Sequence, residues 1–155
     1  MHNYKEACRE ELEHLVSHED DLEAALLCTV DGLPVAYACS IEIEADSLSA
    51  MCSSMLSLGD ALACQGGKDS CIQVVIQSEN RTVALIHAGE EMLLVLVGGE
   101  SLRLGMLLSH ARKGVERIVD IVNSSKLAAK REPQQDGPVL LEELVKRVMR
   151  EAQNR

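Results

Sequence analysis

Residues 26–39 read LLCTVDGLPVAYAC. Two apolar runs meet at Asp31-Gly32, and Pro34 follows two residues later. Asp-Gly between apolar segments is a strong hairpin signal, because a two-residue mirror-image turn needs positive φ at both positions. The flanks are therefore strands, at 22–30 and 33–41. Proline has no N–H to give to a ladder, so the second strand belongs at a sheet edge.

Working outward, residues 4–17 place Cys8, Leu12, Leu15 and Val16 on one helical stripe. A second helix is expected over 47–64, capped by Asp46 or Ser47. Strand-like runs follow at 70–78, 82–89 and 92–99. A third helix spans about 101–124, with Leu104, Leu107, Leu108, Ala111, Val115, Ile118 and Val122 on one face. The order is α-β-β-α-β-β-β-α. Residues 1–124 form the expected domain, 125–138 a flexible linker with Pro133 and Pro138, and 139–155 an amphipathic C-terminal helix.

The strand MLLVLV at 92–97 is apolar throughout, which places it in the sheet interior. The last three strands form a meander. With 92–97 beside the first strand, the order is 2-1-5-4-3, a five-stranded antiparallel sheet in an α+β sandwich. The far edge is then 71–77, uncharged and free of proline: Cys71, Ile72, Gln73, Val74, Val75, Ile76 and Gln77. Such an edge invites pairing. A second copy across a two-fold axis is the economical cover; the C-terminal helix or a loop is the alternative. On the second helix, Leu48, Met51, Met55, Leu58 and Leu62 form the expected core stripe. Beside it run small residues, Ala50, Ser54, Ser57 and Ala61, and the helix is uncharged from Leu48 to Leu58. That stripe reads as an interaction surface.

Of 155 residues, 46% are hydrophobic, and Tyr4 and Tyr37 are the aromatics. The formal net charge is −10; residues 1–67 carry 13 acids against 2 bases, with no Lys or Arg between Arg9 and Lys68. Nucleic acid is disfavoured on that charge and on the scarcity of stacking platforms. No run approaches the ~18 apolar residues of a membrane span, and the N-terminus lacks signal-peptide character. A cytoplasmic protein is expected. The six cysteines lack C-x-x-C spacing and read as small buried hydrophobes in a reducing compartment.

Chemistry is sparse. QGGKDS at 65–70 lacks the first glycine and the Ser/Thr of a phosphate loop. His14 and His18 share a helix face without an evident third metal ligand. His87 reads as a half-buried strand residue. No general base is identified beside Cys71, and Arg112, Lys113 and Arg117 read as solvated. The expectation is a chain with no catalytic group, cofactor or metal.

The run LEAALLCTVDGLPVAYA (22–38), the helix LSAMCSSMLSLGDALA (48–63), the strand triplet and GGESLRLGMLLSHARKGVERI (98–118) together resemble the Roadblock/dynein light chain family. They resemble its bacterial branch of Ras-like GTPase regulators in particular. The resemblance covers about 8–122 and implies a profilin-like fold. It also implies a homodimer joined through the third strand and second helix, the paired helices docking a small GTPase. On this chain the seam would be 71–77 with Ala50 and Ser54. The docking surface would be Ser53, Ser57, Asp60 and Ala61, with Ser54 alongside. The rival reading is a small-molecule-sensing domain of related build, with His87 and Tyr37 as polar candidates. A third has helix 139–153 clamping a partner or masking the second helix.

Overall fold

The computed structural model describes residues 3–131 and 138–154. It contains α1 (Tyr4–His18), β1 (Leu22–Thr29), β2 (Pro34–Cys39), α2 (Ala45–Ala63), β3 (Gln73–Gln77), β4 (Thr82–His87), β5 (Met92–Gly98), α3 (Leu104–Arg131) and α4 (Pro138–Gln153). The strands form one antiparallel sheet in the order β2-β1-β5-β4-β3. Each strand residue points its side chain opposite to its neighbour, so the sheet carries a core on either face. Ala25, Leu27, Leu94 and Leu96 meet α1 (Cys8, Leu12, Leu15) and α3 (Leu107, Ala111, Ile118). Leu26, Cys28, Leu85, Leu93 and Val95 meet Cys52 and Leu56 of α2. Strand β5 is buried along its whole length, as its two-sided apolar sequence requires.

Pro34 opens the edge strand β2, opposite Cys28 at an irregularity in the β1–β2 register. The turn differs from the two-residue form. Gly32 N–H donates to the Thr29 carbonyl at 2.9 Å, and Thr29 N–H donates to the Leu33 carbonyl at 2.8 Å. Val30, Asp31 and Gly32 thus make a three-residue loop in which Gly32 alone takes positive φ, +89°. A type I turn closed by a left-handed glycine needs one such residue where the mirror-image turn needs two. A Cβ at Gly32 would stand 3.1 Å from Ala50 Cα, so α2 rests on the turn.

Two further expectations are corrected. Strand β3 begins at Gln73, because the Cys71 N–H is taken by the Asp60 carboxylate at 2.7 Å instead of by a ladder. Cys71 and Ile72 therefore precede the strand. Helix α3 runs to Arg131 through residues assigned to the linker. Lys126-Leu-Ala-Ala-Lys-Arg131 are good helix formers with no breaker among them. Residues 132–137 of that linker lie outside the described residues. The chain divides at Ser125 into two compact units. In the second, α4 exposes Leu144, Val145, Val148 and Met149.

Between β1 and α3, Asp21 acts as a clamp. Its carboxylate accepts from Ser101 Oγ at 2.6 Å and from Leu102 N–H at 3.1 Å, which leads the chain into α3. These bonds hold the Asp21 carboxyl below the usual carboxylate range.

Gly32→Ala forces an L-residue into the left-handed region against α2 and is expected to cost about 1–3 kcal/mol in urea unfolding. Gly105→Ala, in open space on α3, is expected to be neutral or stabilising by up to ~1 kcal/mol. Equal effects would contradict this account of the turn.

Candidate interaction surface on helix α2 and strand β3

Helix α2 lies close to the sheet because small residues line its underside. Ser49 is fully buried and Cys52 nearly so, with Leu56 as the one large buried residue. A Cβ at Gly59 would fall 2.8 Å from Cys71 Sγ and 3.3 Å from a Val74 methyl, so α2 passes directly over the approach to β3. At the other flank, Ser53 Oγ donates to the Val30 carbonyl. These contacts fix the rotation of the helix, and they overturn the expected core stripe. Met51, Leu58 and Leu62 are 58%, 59% and 74% exposed, Leu48 and Met55 are half-buried, and none forms the heart of the core. The helix is turned by roughly a third of a revolution from the orientation its large residues imply.

The expected interface residues divide accordingly. Ala50, Ser54, Ser57 and Ala61 are exposed. The Ser54 and Ser57 hydroxyls donate to the Ala50 and Ser53 carbonyls of their own helix, at 3.0 and 3.1 Å. Those hydroxyls are folded down, and the surface there is flat. Ser53 and Asp60 are half-buried and spend their polar atoms on Val30 and Cys71. Neither stripe singled out from the sequence is the inward one; the buried face is a third, Ser49, Cys52 and Leu56. The signal for the inward face was the pair of glycines, Gly32 and Gly59, which meet α2's neighbours only in three dimensions.

Strand β3 is an edge. Its hairpin with β4 closes on the Ser78 N–H to Arg81 carbonyl bond, 2.8 Å, and pairs Gln77 with Thr82. Hydrogen-bonded pairs alternate along an antiparallel ladder. Val74 and Ile76 therefore bond inward to β4, while Gln73, Val75 and Gln77 present N–H and C=O outward. Ile72 is 75% and Ile76 41% exposed, so the open ladder is flanked by apolar side chains. Cys71 is half-buried, its thiol donating to the Gln73 carbonyl.

The remaining chemical candidates stay apart. Tyr37, on β2, lines an open groove of about 460 Å³ beside α1 with Asn3, Lys5, Glu6, Arg9 and Glu13. His87 is half-buried at the end of β4, opposite Leu93, with two strands between it and β2. His14 and His18 stack at 3.9 Å, and His18 Nδ1 lies 2.9 Å from the His14 carbonyl. Among the described residues no three His, Cys, Asp or Glu side chains form a metal-binding group. None of the described helices is long and apolar enough to cross a membrane.

The sequence profile of the Roadblock/LC7 domain matches residues 9–98. A structure of MglB with a tetrameric arrangement shares 26% identity, covering 80% of this chain and 93% of that one, at a TM-score of 0.73. The gliding protein MglB of Thermus thermophilus shares 25% identity over 80% of this chain and 94% of its own, at 0.71. Profilin II of Acanthamoeba castellanii, at 11% identity, 72% and 96% coverage and a TM-score of 0.56, shares the fold alone.

Burial pushes the Cys8 and Cys28 thiols up to about 11 and the Cys52 thiol to about 12. Glu11 adds to the effect at Cys8, Cys28 adds to it at Cys52, and the Ser49 hydroxyl partly offsets it at Cys28. Alkylation of the folded chain near pH 8 should therefore label exposed Cys39 and Cys64 and spare Cys8, Cys28 and Cys52 until denaturant is added. Mass spectrometry of the peptides reads this out. Reaction of Cys52 as fast as Cys39 would contradict the close seating of α2.

Proposed function

This chain belongs to the Roadblock/LC7 domain family, and from that premise we propose that it is a homodimeric platform that binds and regulates a small Ras-like GTPase. The observation that carries the reading is the open edge of β3 beside an outward-turned apolar helix. Gln73, Val75 and Gln77 offer unpaired backbone groups, and Ile76 with Ile72 flanks them. A second β3 satisfies the backbone groups and continues the sheet to ten strands. Ala50 and Ser54 let the neighbouring copy of α2 come close. The relative with a tetrameric arrangement supports self-association of this body.

The paired α2 helices then form one continuous landing surface, with Ser57 and Ala61 outward and Met51, Leu58 and Leu62 supplying apolar contact. The regulators of Ras-like GTPases that this chain resembles support a GTPase as the occupant. In this reading the platform lends no catalytic group. It acts by holding the mobile switch segments of the GTPase in one arrangement, which is a differential contact with two states of the partner.

Ile76→Lys places a charge at the two-fold seam while leaving an exposed side chain exposed. By analytical ultracentrifugation the wild type is expected at twice the 16.9 kDa chain mass and the variant at the chain mass. Circular dichroism should stay unchanged, and capture of a purified Ras-like GTPase should be lost with the pair. A wild-type monomer at micromolar concentration, or a variant that still pairs, would contradict the seam.

A further inference from the structure

Four exposed acids, Asp31, Glu42, Glu44 and Asp46, adjoin the apolar face of α2 at its N-terminal end, and from them we infer the chemistry of the partner: a protein surface with an apolar centre flanked by Lys and Arg. This inference rests on the platform reading and adds the sign and the mode of recognition.

The centre of the face is Met51, Leu58 and Leu62, standing exposed beside the flat ground of Ala50, Ser54, Ser57 and Ala61. A face kept only for solubility carries charge at its centre; this one carries it at its N-terminal end. Glu42, Glu44 and Asp46 lie exposed at and before the N-terminal turn of α2. Asp31 sits at the tip of the β1–β2 hairpin. That tip is fastened to α2 by the Gly32–Ala50 contact and the Ser53–Val30 hydrogen bond, so the Asp31 carboxylate is carried on the same flank. Between Arg9 and Lys68 the chain has no cation to neutralise them.

Some acids elsewhere are paired with cations. Glu6 and Glu13 hold Arg9, Glu11 meets Arg117 at 2.8 Å, and Glu23 meets Arg81 at 2.6 Å. Among the described residues Asp31, Glu42, Glu44 and Asp46 have no such cation. An unneutralised anionic flank at the N-terminal end of an apolar face repels acidic surfaces and accelerates encounter with basic ones. Desolvation of the apolar centre then holds the complex. The acidic flank governs association and selection; the apolar centre governs dissociation.

The test uses the full-length chain and each Ras-like GTPase encoded in the same genome, purified with GDP or a non-hydrolysable GTP analogue. Stopped-flow association is measured at low and high salt. The association rate constant is expected to fall about tenfold as salt rises, and about tenfold at low salt in the double variant Asp31→Lys/Glu42→Lys. The dissociation rate should hold within about twofold. Asp120→Lys, exposed on α3, should change neither. Binding that ignores both salt and the charge reversal, or that quickens on reversal, overturns this inference and leaves the platform standing. Absence of binding by every GTPase in both nucleotide states overturns the platform, and the inference falls with it.

Discussion

The structure turns on how closely helix α2 is laid against the sheet. Packed interiors leave no slack for a methyl group, and under α2 the chain supplies glycine, serine and cysteine where a core helix ordinarily supplies leucine. Gly32 admits the helix at one flank and Gly59 at the other, with Ser49 and Cys52 between them. Three consequences follow from that seating. Large apolar side chains are turned to the outside. The hairpin tip with Asp31 is fastened to the helix. Cys71 is drawn toward Gly59 and Asp60, which leaves β3 a short strand at the edge of the sheet.

Those consequences put two different kinds of surface side by side. One is an open ladder, which only another strand satisfies well. The other is an apolar helix face flanked by acids at its N-terminal end, the surface proposed to take a globular partner of opposite charge. In the proposed dimer the second surface doubles when the first is satisfied, since pairing through β3 brings a second α2 with it. In the proposed platform, self-association and partner recognition are thus coupled by geometry.

Much of the architecture was legible in the sequence. The edge position of β2 follows from Pro34, the central position of β5 from its unbroken apolar run, and the strand order from short turns joining the rest. The rotation of α2 was not legible. Hydrophobicity alone turns the stripe of large residues inward; the contacts of Gly32 and Gly59, distant in sequence, instead seat a third stripe, Ser49, Cys52 and Leu56, and leave both the large and the small stripe largely outside. The turn at Asp31-Gly32 carried the same ambiguity, because one sequence serves both a two-residue and a three-residue loop, and the carbonyl of Thr29 decides. The start of β3 was obscured by Cys71, which looks like a strand residue but gives its N–H to Asp60. The candidate surface was visible as a region, while its residues were sorted into structural and outward-facing ones by hydrogen bonds that no spacing records.

The central claim is that the outer ladder of β3 is filled by a second copy of the chain. Amide hydrogen exchange at Gln73, Val75 and Gln77 measures this directly, since these N–H groups face away from β4. The account predicts protection at all three that deepens with protein concentration and disappears in the Ile76→Lys variant. Exchange of these three amides as fast as unstructured chain, at every concentration, would contradict it.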